Sequence, residues 1–305
     1  MAINSIEVES FTKRYGNFLA VDDISFCVEE GSIFAFVGPN GAGKSTTINT
    51  LCTIQEKSGG SLRINGNDVT LRKAEVRRDI GIVFQDCTLD QKLSVQENLK
   101  LHCDFYGVPK AEVKERIGFV LDLVDIEAWK NAPVNALSGG LKRRAEIARG
   151  LVHFPKVLFL DEPTTGLDPQ TRANVWEYIH QLQKRKNITI FLTTHYLEEA
   201  EICDQLAIID HGKIVAHDTP YNLKRLHTSS TTRIKMSDPA PLLRYCAEHA
   251  LPAVPEDGRV SIASPNIGSV MELVSVFKNA IEDIEIRKGT LDDVFLSLTG
   301  KEIRN

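Results

Sequence analysis

The sequence lacks long apolar runs and an excess of basic residues. Its apolar stretches are short, as at Ile33–Val37 and Val157–Leu160, whereas a membrane-spanning helix needs roughly 18 or more apolar residues. Any role at a membrane must therefore be peripheral. The 36 Lys and Arg residues stand against 41 Asp and Glu residues, which gives a net charge of −5. Since affinity for a phosphate backbone requires a basic surface, we expect no nucleic acid partner.

The sequence also lacks paired cysteines and a secretory signal. Its 6 cysteines are scattered, without a Cys-x-x-Cys pair, which is typical of reduced thiols, and we expect no zinc site. The N-terminal residues have neither a basic nor an apolar region, so we expect the protein to stay in the cytoplasm. What is present is a chain of 305 residues, 42% of them apolar and 25% charged. That composition is typical of a globular protein with one large domain and room for a smaller companion.

Short apolar runs alternate with helical patterns in the first part of the chain, which predicts an α/β core. Several runs are continuously apolar, as in parallel strands that are covered on both faces. Ligands of such sheets bind beyond the carboxyl ends of the strands. Strands are predicted at Ile6–Val8, Ile24–Val28, Ile33–Val37, Ile80–Phe84, Val157–Leu160 and Ile188–Leu192, with hairpins at 62–67 and 206–216.

Helical periodicity replaces the strand pattern between about 90 and 150, and this predicts a helical insertion. The polar segment 227–232 predicts a linker. We therefore expect a first domain over 1–226 and a small α+β domain over 233–305. One apolar face of the insertion would consist of Val113, Ile117, Val120, Leu121 and Val124. The small domain would have strands near 233–236, 260–263 and 284–287 and helices near 241–250, 267–281 and 291–298, the last with an N-terminal cap from Thr290 and Asp293.

A glycine-rich segment between a predicted strand and a helix fits the P-loop pattern, G-x-x-x-x-G-K-[ST]. In that motif backbone N–H groups cradle phosphates, the lysine reaches the terminal phosphates, and the hydroxyl binds Mg²⁺. The alternative, a turn with a solvated lysine, leaves the flanking strand and helix unexplained. The residues expected to bind nucleotide here are Gly38, Pro39, Asn40, Gly41, Ala42, Gly43, Lys44, Ser45 and Thr46, with Ser45 as a metal ligand.

Two carboxylates, Asp161 and Glu162, follow the buried strand Val157–Leu160. Alone, such a pair is usually a helix cap or a solvated turn. Beside a P-loop, Asp161 is expected to bind Mg²⁺. Glu162 is then placed to accept a proton from, or to orient, the water that attacks the γ-phosphate. This pattern favours hydrolysis over transfer to another substrate.

A second set of free N–H groups is predicted at Ser138, Gly139 and Gly140, where a serine and two glycines open a helix. A plain helix cap is the alternative. If the segment binds phosphate, the economical explanation is a nucleotide held on another copy of the chain. The basic run Lys142–Arg144 is predicted to be a solvated helix start, with phosphate or lipid contact as the other possibility.

With these residues in view, the sequence resembles the ATPase subunits of ABC transporters over about residues 3–220. Five motifs occur in the order typical of that family: GPNGAGKST (Walker A), Gln85 (Q-loop), LSGG (signature), VLFLDEP (Walker B) with Gly166-Leu167-Asp168 (D-loop), and His195 (switch histidine). The resemblance implies two ATP molecules held head to tail between two subunits. Each ATP would contact Walker A of one subunit and Ser138, Gly139 and Gly140 of the other.

The resemblance also implies roles that the residues alone do not establish. Gln85 would sense Mg²⁺ and the attacking water, His195 would contact the γ-phosphate, and Tyr15 would stack on adenine. Asp168 would line the nucleotide site, and the helical insertion would dock on a membrane subunit. Without the resemblance, Gln85 is more typical of a polar strand end and His195 of a hydrogen-bonded loop residue. Tyr15 is then nearly as typical of a packed strand tyrosine.

The signature motif departs from the family pattern at Leu141, where LSGGQ is usual. The backbone donors and Ser138 remain, so we expect activity to survive. The C-terminal segment 289–300 is similar to the extension of the drug-export branch, of the daunorubicin-resistance type.

We therefore expect a P-loop NTPase core with an antiparallel β subdomain and a helical insertion, followed by a small α+β domain. The expected function is Mg²⁺-dependent ATP hydrolysis in an ABC exporter, with a second copy or a homologous ATPase subunit and separately encoded permease subunits as partners. The protein would lie peripherally on the inner face of the cell membrane. One rival is a non-transport mechanical ATPase associated with nucleic acid or the ribosome. Another is a small-molecule kinase, which would leave Glu162 and His195 without roles.

Overall fold

The computed structural model describes residues 3–228, 230–256, 258–264 and 267–300. They form two compact units that divide between Asp218 and Thr219, and each is described by itself. Within these ranges, every helix is too short or too polar to span a bilayer. Ser229 of the expected linker and residues 1–2, 257, 265–266 and 301–305 of the expected domains lie outside the described residues.

The first unit contains two sheets with helices between their strands. Its elements are β1 (Asn4–Tyr15), β2 (Phe18–Glu29), β3 (Ile33–Val37), α1 (Lys44–Leu51), β4 (Gly59–Ile64), β5 (Asn67–Asp68), α2 (Lys73–Asp79), β6 (Ile80–Val83), α3 (Val95–Phe105), α4 (Val113–Leu123), α5 (Gly139–Leu151), β7 (Val157–Asp161), α6 (Pro169–Lys186), β8 (Thr189–Thr194), α7 (Leu197–Ala200), β9 (Gln205–Asp210) and β10 (Lys213–Asp218).

One sheet is antiparallel, with the order β2-β1-β4-β5. The other has six strands in the order β10-β9-β3-β8-β7-β6, all parallel to their neighbours except β10. Every residue of β3, β7 and β8 is buried, which is why these strands consist of continuous apolar runs. The predicted α/β core is confirmed.

An aromatic cluster joins the two sheets. Phe26 of the antiparallel sheet stacks on Phe34 and Phe191 of the parallel sheet, with ring centroids 5.4 and 5.9 Å apart. Phe36 lies 5.5 Å from Phe26. All four rings are buried, so this cluster fixes the end of β3 from which the P-loop departs.

The predicted helical insertion consists of α3, α4 and α5. On α4, Ile117, Val120 and Leu121 are buried as expected, as is Val124 just after the helix, while Val113 is half-buried. Ser94 and Glu97 form a capping box that starts α3, because each side chain satisfies a backbone N–H that has no partner within the helix.

The second unit is a small α+β fold, as predicted. Its antiparallel sheet has the order β12-β13-β11-β14, and one face packs on helices through Ile234, Ile262, Leu242 and Leu273. Its elements are α8 (Pro220–His227), β11 (Ser230–Met236), α9 (Ala240–Glu248), β12 (Ala253–Glu256), β13 (Arg259–Ser264), α10 (Ile267–Phe277), β14 (Ile281–Arg287) and α11 (Leu291–Thr299).

The division between the units differs from the expected boundary at 226. Thr219 caps α8 by accepting a hydrogen bond from Asn222 N, and Pro220 occupies the first turn, so the chain enters a helix of the second unit directly after β10. Residues 230–232, expected in a linker, belong to β11, where Ser230, Thr231 and Thr232 pair with β13. Polar residues with β-branched side chains suit such a strand as well as a linker.

Candidate functional site

The P-loop connects β3 to α1 and has a backbone that requires its glycines. A Cβ atom at Gly38 would lie 2.2 Å from the carbonyl oxygen of Ile209, and Gly43 has a φ of 112°, which side chains disfavour. Lys44 is the first residue of α1. The loop thus leads directly from a buried strand into the N-terminus of α1, and a helix N-terminus after such a loop favours anions such as phosphate.

The Lys44 ammonium is folded back into the loop. Its Nζ donates to Gly38 O at 2.8 Å and Pro39 O at 3.2 Å, and it lies 3.3 Å from Glu162 Oε1. Burial lowers the pKa of Lys44, and the nearby Glu162 carboxylate opposes that shift. These contacts hold the Lys44 ammonium inside the loop that the sequence predicts to bind phosphate.

Asp161, the last residue of β7, faces the hydroxyl of Ser45. Asp161 Oδ1 accepts from Thr193 Oγ1 at 2.5 Å and from Ser45 Oγ at 3.4 Å, and burial raises the pKa of Asp161. A hydroxyl and a single carboxylate are hard oxygen ligands of the kind Mg²⁺ uses together with phosphate oxygens and water. The described residues contain no group of three or more His, Cys, Asp or Glu side chains that could hold a metal ion.

Glu162 is the centre of the site. Its Oε2 accepts from Gln85 Nε2 at 3.4 Å and Thr165 Oγ1 at 3.2 Å, and His195 Nδ1 lies 3.2 Å away, without the alignment of a hydrogen bond. Burial would raise the pKa of Glu162, but the Lys44 ammonium and His195 outweigh it and hold the pKa below its ordinary value. The group is therefore a carboxylate at neutral pH, able to accept a proton.

The structure therefore brings together Lys44, Gln85, Asp161, Glu162 and His195, although they come from distant parts of the sequence. Each lies at or just beyond the carboxyl end of a parallel strand or in the loop that follows it. This is the edge of an α/β sheet at which ligands bind.

Tyr15 ends β1 and is 43% exposed. Its hydroxyl donates to Gln55 Oε1, and the Lys13 ammonium lies 4.8 Å from the ring centroid, over one face. A cation on one face leaves the other face for stacking on a flat base.

Ser138, Gly139, Gly140 and Asp168 are not part of this cluster, and their described hydrogen bonds are local. Ser138 Oγ accepts from Leu141 N at 3.4 Å as the cap of α5, and Asp168 accepts from Thr171 N at 3.0 Å as the cap of α6. Both caps are exposed. Ser138 and Gly139 at the start of α5 are exposed, and Gly140 is half-buried.

Arg143 was expected to be solvated, and that prediction is wrong. The residue is 6% exposed, and its guanidinium lies among the backbone carbonyls behind Asp161 and Glu162. The helical period carries the signal: Arg143 precedes Ile147 by four positions and Gly150 by seven, and both neighbours belong to the packed side of α5. Thr193, whose hydroxyl donates to Asp161, was not predicted as a site residue.

Comparisons with known proteins agree with the geometry. A family model described as ABC transporter matches residues 21–165. The chain is 36% identical to Nod factor export ATP-binding protein I of Ralstonia nicotianae, over 98% of this chain and 95% of that protein. It is 34% identical to daunorubicin resistance ATP-binding protein DrrA3 of Streptomyces coeruleorubidus, over 100% of this chain and 98% of that protein.

Among solved structures, cbiO1 from Clostridium perfringens, part of the ABC transporter complex cbiONQ, is similar with a TM-score of 0.68 and 31% identity. The match covers 72% of this chain and 90% of that chain. Because relatives along the whole length and the fold agree, the chain belongs to the ATP-binding subunits of ABC transporters, and it is an ATPase.

Proposed function

We propose that this ATPase powers an exporter, as one of two ATP-binding subunits that act on separately encoded permease subunits at the inner face of the cell membrane. Two of its relatives are named for Nod factor export and daunorubicin resistance, which supports export as the direction. The transported compound would bind in the permease subunits, which is why this chain carries no signature of it.

The observation that carries the proposal is the position of Glu162 between Lys44, Gln85 and His195. An ATP γ-phosphate in the P-loop would draw the Lys44 ammonium away from Glu162 and from the loop carbonyls. Glu162 would then be free to orient a water molecule and accept its proton, while Gln85 and His195 hold that water and the phosphate in line.

Ser45 and Asp161 would hold the Mg²⁺ ion, with Gln85 as a further oxygen ligand. The ion would neutralise charge that develops on the phosphate oxygens. Thr193 keeps Asp161 aligned through its hydroxyl, which donates at 2.5 Å.

The second wall of the site would come from another copy. Ser138 and Gly139 lie exposed at the start of α5, and the first N–H groups of a helix have no partner within the helix. A head-to-tail pair would place these groups against the nucleotide of the partner, so that each of two sites is built from both chains.

Glu162→Gln tests the role of the carboxylate. We expect ATP binding to persist and steady-state hydrolysis to fall at least about 100-fold, the usual effect of removing a general base. The unreacted ATP would trap a dimer, measurable by light scattering. Glu198→Gln, at an exposed position of α7, is the matched control and should leave the rate unchanged. Normal turnover in Glu162→Gln would refute the mechanism.

Ser138→Arg tests the shared site. The bulky cation should obstruct the partner's nucleotide, so hydrolysis should fall more than about tenfold while ATP binding by the monomer stays within about twofold. The same substitution at exposed Ser297 of α11 should have neither effect. A variant that hydrolyses ATP as fast as the unmodified chain would contradict a site built from two chains. So would a hydrolysis rate per chain that does not change with protein concentration.

The rival functions have less support. A mechanical ATPase acting on nucleic acid is disfavoured by the net charge of −5. A kinase would need an acceptor in place of the attacking water, and Glu162 would have no evident role there. Release of inorganic phosphate without a phosphorylated acceptor distinguishes hydrolysis from transfer.

A further inference from the structure

Arg143 binds four backbone carbonyl groups at once. Its Nε donates to Pro163 O at 2.6 Å, and its Nη2 donates to Asp161 O at 3.2 Å and to Glu162 O at 3.0 Å. Its Nη1 donates to Phe84 O at 2.5 Å. One planar guanidinium thus connects α5 to the turn that carries Glu162 and to the residue just before Gln85.

Glu146 completes the arrangement on the same helix. Its Oε2 lies 3.2 Å from Arg143 Nη1, and its Oε1 accepts from Thr88 N at 2.9 Å. The loop that contains Gln85 is therefore held on both sides, at Phe84 by the arginine and at Thr88 by the glutamate. Both charged side chains are buried, 6% and 2% exposed, and such a pair is retained in a protein interior only when its hydrogen bonds are satisfied.

The turn after β7 needs this support because of its backbone. Glu162 has a φ of 46°, a conformation that non-glycine residues keep only where their surroundings enforce it. Three consecutive carbonyls of the turn, those of Asp161, Glu162 and Pro163, point to one guanidinium. Glu162 O also accepts from Thr165 N at 3.3 Å, but without the guanidinium the three carbonyls would lose the one donor that they share, and the turn would be free to relax.

We propose that Arg143, together with Glu146, is a positioning residue that sets the Glu162 carboxylate and the Gln85 amide relative to the start of α5. The proposal rests on the proposed function, in which Ser138 binds the partner's nucleotide. Arg143 touches no substrate itself. Because Ser138 caps α5 and Arg143 lies within the first two turns of the same helix, a shift of that helix on closure of the dimer would move Glu162 in the same chain.

The test compares Arg143→Met and Arg143→Lys with Arg144→Met. Arg144 is the next residue of α5, but it lies near Asp125, with Nη1 3.5 Å from Oδ2, and so controls for loss of a cation from this helix. The measurements on the full chain are kcat and KM for ATP, the Kd for ATP, and the thermal unfolding midpoint.

We expect Arg143→Met to lower kcat at least tenfold, with the Kd for ATP within twofold of the unmodified chain. Arg143→Lys should recover part of kcat, because an ammonium can bind some of the carbonyls but lacks the planar arrangement for all four. Arg144→Met should stay within twofold in kcat.

The proposal is overturned if folded Arg143→Met keeps kcat within twofold, or if kcat and ATP binding fall together, as a merely structural role would give. If Arg143→Met is insoluble, Arg143→Lys decides: a kcat equal to that of the unmodified chain overturns the proposal, and a lowered kcat with unchanged Kd supports it. Failure of the shared site is distinguishable, because Ser138→Arg would then hydrolyse ATP at the rate of the unmodified chain, whatever the result for Arg143→Met.

Discussion

Glu162 stands at the end of an extended strand, but its own backbone is left-handed. Such a conformation costs about 1–3 kcal/mol. Its N–H is shared between the carbonyl and the hydroxyl of Thr193, at 3.1 Å each. The bend ends the continuation of β7 and turns the carboxylate back toward Lys44. At the scale of single residues, the direction of the Glu162 side chain is thus set by its own backbone conformation.

Two histidines beside α5 are uncharged in the folded chain. Burial, reinforced by the Arg149 guanidinium, lowers the pKa of His102 to about 3, and burial lowers the pKa of His153 to about 4. Tyr106 packs against both, with its ring centroid 4.8 Å from His102 and 3.7 Å from His153, and the two histidine rings lie 5.8 Å apart. An unfolded histidine takes up a proton near pH 6.5. The free energy of unfolding therefore decreases as the pH falls below 6.5. The stability that the two uncharged histidines contribute is fully present only above that pH.

His102→Phe should reduce this acid sensitivity. The aromatic contact with Tyr106 is kept, but the proton uptake on unfolding is lost. Between pH 6.5 and 5, one such histidine lowers the free energy of unfolding by about 2 kcal/mol, so the variant should lose about that much less than the unmodified chain. Urea unfolding at the two pH values measures the difference. An equal loss in both proteins would show that His102 is not responsible.

At the scale of single elements, α11 depends on its first turn. Thr290 and Asp293 form a capping box, with Thr290 Oγ1 accepting from Asp293 N at 3.2 Å and Asp293 Oδ2 accepting from Thr290 N at 2.8 Å. These bonds satisfy two N–H groups that have no partner within the helix.

Thr290→Ala should therefore lower the free energy of unfolding of the second unit by about 1 kcal/mol. Ser297→Ala, at an exposed position of the same helix, should change it by less than about 0.5 kcal/mol. Chemical denaturation followed by far-ultraviolet circular dichroism measures both. Equal effects of the two substitutions would argue against the cap.

A strand or helix could be predicted from the sequence where its own residues determine it. β3 and β7 are evident because fully buried strands are continuous apolar runs. β12 contains Pro255 and is an edge strand, where proline is tolerated but weakens the strand pattern. The helix α8 did have a signal, Thr219 followed by Pro220, which is typical of a helix start. The helix itself was not predicted, because its 8 residues are too few to show a helical period.

The residues of the site also differ in whether a local sequence pattern predicts them. Lys44, Ser45, Asp161 and Glu162 belong to short motifs whose spacing is fixed by one loop or one strand end, and the sequence predicts them. Arg143 donates to a carbonyl 59 positions away in the sequence. Every residue has a backbone carbonyl, so residue types do not indicate which carbonyls a side chain will bind. No local pattern specifies such a contact.

At the scale of the whole molecule, each unit has its own core. Residues 6–209 supply one cluster of buried apolar side chains and residues 234–284 another. Two cores predict two thermal transitions. Leu242→Ala, at a fully buried position of α9, should destabilise the second unit by about 2–5 kcal/mol.

Calorimetry distinguishes the transitions. Mg-ATP should raise the transition of the first unit only, since ligand binding stabilises the unit that contains the site. Leu242→Ala should lower the other transition, with the Kd for ATP unchanged. A single transition that shifts as a whole under both treatments would mean that the two units unfold together.

The strand order of the large sheet has a consequence for biosynthesis. β3 pairs on one side with β8 and on the other with β9, and β8 begins about 150 residues after β3 ends. At a translation rate of about 5–20 residues per second, the ribosome needs roughly 8–30 s to deliver the first partner. During that interval the nascent chain carries an apolar strand with both edges open, so we expect chaperones to engage it and ATP to bind only once β9 has emerged.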